Sequence, residues 1–371
     1  MKRCGILLAV LMLCMGVVVP VAAEAATADK ELLVRYQDYE ARFADIGTVE
    51  DIEKNGFEVI ETQVFPLMLE SFGEEELTFV PAMEKEYHRL AVFVADSQGN
   101  VLYKSNQLAT NQLYKGALEQ PTEDIAAVSF QDVNRDGLTD IILITRCVNE
   151  TGEYAGKPYK TGDVLFQRDG SFYRDYRISD KINRFSMNKS ANCIAAFVRD
   201  GQSAEFLYTA STEAELLKNG FDIIEEQCYT RNFEKLGKLR VVPGIFSISE
   251  YDIFMIYLVN EQGDIVWSFQ PMGDYDNLYS LKGITGKDVD GDGMKDLVVF
   301  ARYSYEDATG EIIVESDCAI YYQRTGGFDI DRGFEEYYQC TEKNTLEELV
   351  AIIRSYWGWQ VEETKAILRN G

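Results

Sequence analysis

The chain has 371 residues and a formal net charge of −26, from 36 basic and 62 acidic side chains. A surface of that sign repels nucleic acid and anionic membranes, which excludes both as expected partners, and it favours cations. Hydrophobic residues at 46% and aromatics at 12% exclude a disordered chain, and the length suggests two or three domains.

Residues 1–25 read as a signal peptide. Lys2 and Arg3 form a positive start, Ile6 to Val19 is an apolar stretch short for a membrane span, and Ala23-Glu24-Ala25 offers small residues to a signal peptidase. The expectation is a secreted or cell-surface protein. A lipid anchor at Cys14 is disfavoured because Leu13 stands where a small residue is expected, and no later segment is apolar enough to span a bilayer. Cleavage leaves Cys147, Cys193, Cys228, Cys318 and Cys340, an odd number whose pairing the sequence does not define. No CxxC occurs, so a zinc ribbon is not expected.

Thr27 to Phe43 places Leu32, Leu33, Tyr36, Tyr39 and Phe43 at helical spacing, which predicts an amphipathic helix used for packing. A large repeat then begins. Lys54 to Val64 aligns with Lys218 to Cys228, with seven of eleven positions identical. Val80-Pro81 recurs as Val242-Pro243. Leu90 to Tyr103 matches Phe254 to Trp267, both reading as strand, Gly-containing turn and strand.

An acidic loop follows in each copy. Asp132-Val-Asn134-Arg-Asp136-Gly137-Leu138-Thr-Asp140 precedes the apolar run Ile141 to Ile144. Asp288-Val-Asp290-Gly-Asp292-Gly293-Met294-Lys-Asp296 precedes Leu297 to Phe300. Oxygen-bearing side chains recur at alternate positions, then comes a glycine that tolerates positive φ, then a closing Asp. Calcium takes six to eight oxygens at about 2.3–2.6 Å, and such a loop can supply them. The predicted ligands are Asp132, Asn134, Asp136, the Leu138 backbone carbonyl and Asp140 in one loop. In the other they are Asp288, Asp290, Asp292, the Met294 carbonyl and Asp296. An EF-hand needs Glu at its twelfth position, where this chain has Val299, so each loop should close on its last Asp and leave as a strand. The competing reading of each loop is an Asp/Asn/Gly-rich turn that needs no metal.

Beyond the loops, Phe166-Gln167-Arg168-Asp-Gly170 matches Tyr322-Gln323-Arg324-Thr-Gly326, a second hairpin. The copies are offset by 164 residues before the loops (Lys54 to Lys218) and by 156 after them (Asp132 to Asp288). The first copy therefore carries an insertion, placed between Gln107 and Asp124, which marks a surface connection. Thr345 with Glu348 makes a capping box, and Leu346, Leu349, Val350 and Ile353 form an apolar stripe of a terminal helix that Gly358 breaks. Trp357 and Trp359 flank that glycine and are expected to pack.

The predicted architecture is mainly β with a few helices, in two tandem similar units of antiparallel strands, blade-like or sandwich-like, each with one calcium-binding hairpin loop. The first unit spans 27–180, with the helix and loop 132–140. The second spans 181–340, with loop 288–296, and a helical segment fills 341–371.

The two loops with their following strands resemble the calcium hairpins of FG-GAP/VCBS repeats, found in integrin α-chain propellers and many secreted bacterial proteins. That resemblance covers about a dozen residues per copy and implies Ca²⁺ at two sites, on the residues named above. With one loop per copy, and no flanking Phe-Gly or Gly-Ala-Pro signature, a full seven-bladed propeller is not implied.

Catalytic signatures are sparse. His88 is the single histidine, no G-x-S-x-G or P-loop occurs, and among 62 acidic residues no pair stands out for acid–base work. The expected function is a non-catalytic extracellular binding or adhesion module with structural calcium, whose ligand is a glycan, a protein or cell wall. The alternative is a secreted polysaccharide hydrolase using two carboxylates.

Overall fold

The computed structural model describes residues 34–359, except 74, 112, 115–116, 119–121, 150–157 and 308–309. The signal peptide, Cys14, the start of the first helix and the end of the 341–371 segment lie outside the described residues. The chain divides into two compact units, 1–122 and 123–371, so the division falls within the first sequence copy.

The first unit opens with α1 (residues 34–44) and α2 (Val49–Lys54). Its sheet holds β1 (Phe57–Val59), β2 (Phe65–Leu67), β3 (Leu77–Glu84), β4 (Leu90–Ala95) and β5 (Val101–Ser105). The antiparallel order is β1-β3-β4-β5, with β2 also on β3. Tyr39 and Phe43 of α1 are four residues apart on one face, and they pack on Phe57, Val80, Ala91 and Phe93. Lys104 caps the end of α1, its ammonium donating to the carbonyls of Phe43, Ala44 and Ile46 at 2.9, 2.7 and 2.7 Å. Two short strands, β6 (Leu113–Tyr114) and β7 (Ala117–Leu118), form a ribbon within the predicted insertion.

The second unit stacks layers. The strands β8 (Thr122–Gln131), β9 (Asp140–Val148), β10 (Pro158–Arg168) and β11 (Ser171–Arg174) form a meander in that order. Helices α3 (Tyr176–Arg184), α4 (Ala191–Asp200), α5 (Phe206–Thr209) and α6 (Glu213–Lys218) follow. Next come β12 (Asp222–Ile223), β13 (Tyr229–Phe233), β14 (Gly237–Ile248), β15 (Tyr251–Val259) and β16 (Ile265–Phe269). Their order, β12-β14-β15-β16 with β13 also on β14, repeats that of β1–β5. The last sheet is the meander β17 (Asn277–Lys287), β18 (Asp296–Glu306), β19 (Ile312–Arg324) and β20 (Gly327–Ile330), in the same order as β8–β11. Helices α7 (Phe334–Tyr337) and α8 (Leu346–Tyr356) end the described chain.

Strand alternation decides which layer meets which. Val242, Met255 and Tyr257 face Ile142 and Val164 of the β8–β11 meander through Ile182, Cys193 and Ile194 of the helices. The intervening residues Val241, Phe254, Ile256 and Leu258 face Leu297, Val299 and Tyr321 of the β17–β20 meander. The far face of that meander, with Val298, Ile320 and Tyr322, is covered by Phe334, Val350 and Ile353. All the sheets are antiparallel and open, so the mainly-β expectation holds at that level.

Local signals also hold. Thr345 and Glu348 make the expected capping box, and Gly358 takes φ 70° just past α8. Trp357 is 46% exposed and donates to the Tyr322 hydroxyl at 2.8 Å. His88 sits in the exposed turn between β3 and β4 at φ 52°.

Candidate metal centre

Each acidic loop joins two neighbouring antiparallel strands, β8 to β9 and β17 to β18. The closing Asp is the first residue of the second strand, so the chain leaves as a strand in both cases. Lys287 pairs with Asp296 across the base of the second loop. Gly137 and Gly293 adopt φ 83° and 84°, the left-handed turn for which a glycine was expected.

In the second loop the Asp288 carboxylate accepts the N–H groups of Gly291 at 2.8 Å and Gly293 at 2.9 Å. Asp290 accepts from Asp292 N–H at 3.2 Å, and Asp292 accepts from Met294 N–H at 2.8 Å. Asp296 is fully buried, and its two oxygens are separately tied. Oδ2 takes the Val289 N–H at 2.8 Å and Oδ1 takes the Gln323 N–H of β19 at 2.9 Å. One buried carboxylate thus fixes the start of the loop to the neighbouring strand.

The first loop repeats this arrangement. Asp132 accepts from Asp136 N–H at 3.2 Å and Gly137 N–H at 2.9 Å, and Leu138 N–H reaches Asp136 at 2.9 Å. Asn134 accepts from the Asp136 N–H at 3.1 Å. Buried Asp140 takes the N–H groups of Val133 at 3.0 Å and Gln167 at 2.9 Å.

Asp288, Asp290 and Asp296 each present an oxygen within 4.8 Å of the other two. Oxygens on opposite sides of one calcium ion lie about 4.6–5.2 Å apart, twice the usual Ca–O distance. The three carboxylates therefore fit a single coordination sphere. Asp292 lies in the same turn and points a carboxylate oxygen at Arg324. The corresponding first-loop positions are Asp132, Asn134 and Asp140, where one carboxylate is replaced by an amide.

Burial pushes the Asp140 carboxyl up to about 6, with Asp136 and Asp132 adding repulsion against the relief from its two backbone N–H donors. Burial pushes Asp296 further, to about 7, with Asp290 and Asp292 as the repelling neighbours. A cation in either loop would favour the charged form of that loop's closing Asp.

Several contributors escaped the sequence reading. Gln167 and Gln323 are buried, and each side-chain amide donates to the loop, to the carbonyl of Thr139 at 2.7 Å and of Lys295 at 2.9 Å. Their signal was present in the repeated Gln-Arg pair, where a polar residue recurs at a buried alternate position of a strand. Arg324 bridges Asp290 at 2.9 Å and Asp292 at 3.1 Å. Glu234, just past β13, accepts the Lys295 N–H at 2.8 Å and pairs with its ammonium. Burial raises the Glu234 carboxyl, but the Lys295 and Gln323 donors outweigh it and hold it at about 2. No sequence spacing links Glu234 or Arg354 to the loop. Arg354 of α8 donates to the Asp288 carbonyl at 3.1 and 2.9 Å while stacking on Trp359 at 4.6 Å.

Neither of two surface grooves in the second unit includes loop residues. One is lined by Tyr275, Arg302, Glu315 and Cys340 among others, the other by Trp267, Phe269, Tyr321, Phe328 and Arg332. Comparison with protein-family models, with curated proteins and with solved structures finds no match for this chain.

Proposed function

We propose that this chain is an exported, non-catalytic binding module whose two acidic hairpin loops each hold a structural Ca²⁺. The observation that carries the reading is the oxygen cluster of Asp288, Asp290 and Asp296, compact enough for one ion and anchored by a buried carboxylate. The matching hydrogen bonds of Asp132, Asp136 and Asp140 extend it to the first loop. The calcium hairpins of FG-GAP/VCBS repeats are the family pattern the loops resemble.

We read the chain as a tandem duplication. Supporting this are the shared strand orders of the two five-stranded sheets and of the two meanders. Matching bridges between Thr48 and Asn100 and between Thr212 and Asp264 support it too, as do the Ile60-to-Pro81 and Ile224-to-Pro243 hydrogen bonds.

A holding role for the loops is favoured over proton transfer because both oxygens of Asp140 and of Asp296 are engaged by backbone N–H groups. A binding role for the module is supported by the groove of about 620 Å³, where half-buried Trp267 lies beside Gln270, Asp329 and Arg332, over buried Phe269 and Phe328. One aromatic ring beside polar groups suits a saccharide or an extended peptide. Extracellular calcium modules bind with Kd of about 10⁻⁴–10⁻³ M, and at ten times Kd each site adds about 1.4 kcal/mol.

The test is thermal melting and limited proteolysis with calcium and with chelator. Calcium should raise the melting temperature and protect both loops from cleavage. Identical melting and cleavage under the two conditions would remove the structural-calcium reading.

A further inference from the structure

Five cysteines lie among the described residues, and all are reduced. Three have partners other than a thiol. Cys147 meets the Thr161 hydroxyl at 3.5 Å, Cys193 the Ile248 carbonyl at 3.7 Å, and Cys228 the Ile224 carbonyl at 3.7 Å. Cys318 and Cys340 differ, because both line one cavity and the Cys340 thiol lies close enough to raise the Cys318 thiol above its usual range. Cys318 lies on β19 opposite Phe300, on the face that carries Ile320 and Tyr322 towards the terminal helices. Cys340 lies in the connection between α7 and α8. Both side chains line one cavity of about 420 Å³, with Tyr275, Glu315 and Asp317.

Polar contacts hold the start of α7 and tie the connection to itself. Asp331 accepts the Gly333 and Phe334 N–H groups at 2.9 and 2.6 Å, and Asn344 donates to the Tyr338 hydroxyl at 2.8 Å. Between them, Glu342 reaches Arg302 at 3.4 Å with its side chain 63% exposed, a weak tether in water. Tyr338 at the start of this stretch and Cys318 on the sheet both pack on the cluster around Ile320 and Phe334.

We propose that Cys318 and Cys340 form a dithiol that closes to a disulfide, clasping the connection between α7 and α8 onto β19 over the acidic cavity. The oxidant is a small disulfide such as oxidised glutathione. The thiolate of one of the two cysteines attacks one sulfur of that disulfide, giving a mixed disulfide and releasing one glutathione thiol. The other cysteine then loses its proton and attacks the protein sulfur of that mixed disulfide, releasing the second. One S–S bond and two protein S–H bonds are exchanged for one protein S–S bond and two glutathione thiols. The neighbouring Cys340 thiol and burial both raise the Cys318 thiol. A loop closed in this way is stabilised mainly through the unfolded chain.

The experiment incubates the full chain with oxidised glutathione, alkylates the remaining thiols and maps the peptides by mass. The expected result is one cross-link, between the peptides of Cys318 and Cys340, with Cys147, Cys193 and Cys228 alkylated after denaturation. Oxidation should also raise the melting temperature by roughly 5–10 °C, and Cys318→Ser and Cys340→Ser should each abolish cross-link and rise. Cys318 and Cys340 both alkylated in folded, oxidant-treated protein would overturn the proposal, as would a cross-link from either to another cysteine. The mapping uses the unmutated chain, so it stands even where a serine variant fails to fold, and it does not depend on calcium.

Discussion

The two acidic loops share a backbone and differ in how they balance charge. In the first, Asn134 replaces a carboxylate, and its amide donates to Asp136 at 2.9 Å. In the second, Asp290 restores the carboxylate, and the Arg324 guanidinium lies across Asp290 and Asp292. The matching arginine of the first copy, Arg168, instead lies 3.5 Å from Asp169, both strongly exposed. The residue at one turn differs too. Arg135 takes φ 63° where the second loop has Gly291 at 85°, so the first loop carries a left-handed arginine costing about 1–2 kcal/mol. The first loop tempers its own repulsion with an amide, and the second needs a cation from elsewhere. Similar loop geometry does not imply similar electrostatics.

The largest expected effect tests what the loops share. Asp140→Ala and Asp296→Ala each strip two backbone N–H groups of a buried acceptor, Val133 and Gln167 in one case and Val289 and Gln323 in the other. In chelator each variant should lose about 2–5 kcal/mol of stability, read from denaturant unfolding. A loss confined to one variant would break the structural equivalence of the loops.

The next effect tests where they differ. On the proposed calcium reading, Arg324 competes with the ion for Asp290 and Asp292, through pairs of the partly exposed kind worth up to ~1 kcal/mol. Arg324→Gln should therefore tighten calcium at the second loop by roughly fivefold, with the first loop unchanged. Trp359 reports the second loop, since its ring lies beside Gly291 and under Arg354, so a titration followed by tryptophan emission separates the sites. Weaker binding in the variant would mean that Arg324 builds the site.

A smaller effect is in pH. The Asp140 and Asp296 carboxyls are raised from 3.8 to about 6 and about 7 by burial, so the metal-free folded state keeps protons that the unfolded chain has released. Their contribution to metal-free stability is highest below 3.8 and is lost as pH rises through that window to about 7. Calcium requires the charged form, so its increment in melting temperature should grow across the same window, reaching its full value later for the second loop. Melting in chelator and in calcium from pH 5 to 8 checks this. An increment independent of pH would contradict the assignment of the closing carboxylates.

Much of this was legible in the sequence because it is local. The helix spacing of Tyr39 and Phe43, the Thr345–Glu348 box, the paired hairpins and the loop turns at Gly137 and Gly293 follow from short-range sterics and periodicity. Each recurs where expected. What stayed hidden is long-range. Glu234 reaches Lys295, and Arg354 reaches Asp288, because strands and helices distant in sequence meet in the layers. The helices α3–α5 interleave between two sheets because the Val242–Met255–Tyr257 face needs a cover. Alternation identifies that face as apolar without naming its neighbour. The nearness of Cys318 and Cys340 was equally invisible, since five cysteines allow many pairings and only the fold brings these two to one cavity.

The most direct test of the account is a calorimetric titration of chelator-treated protein with calcium, on the unmutated chain and on Asp136→Ala and Asp292→Ala. The account predicts two sites in the parent and one in each variant, with the site surviving in Asp292→Ala silent in Trp359 emission. No heat beyond dilution in the unmutated chain would contradict it and leave both loops as acidic turns held by their own backbone.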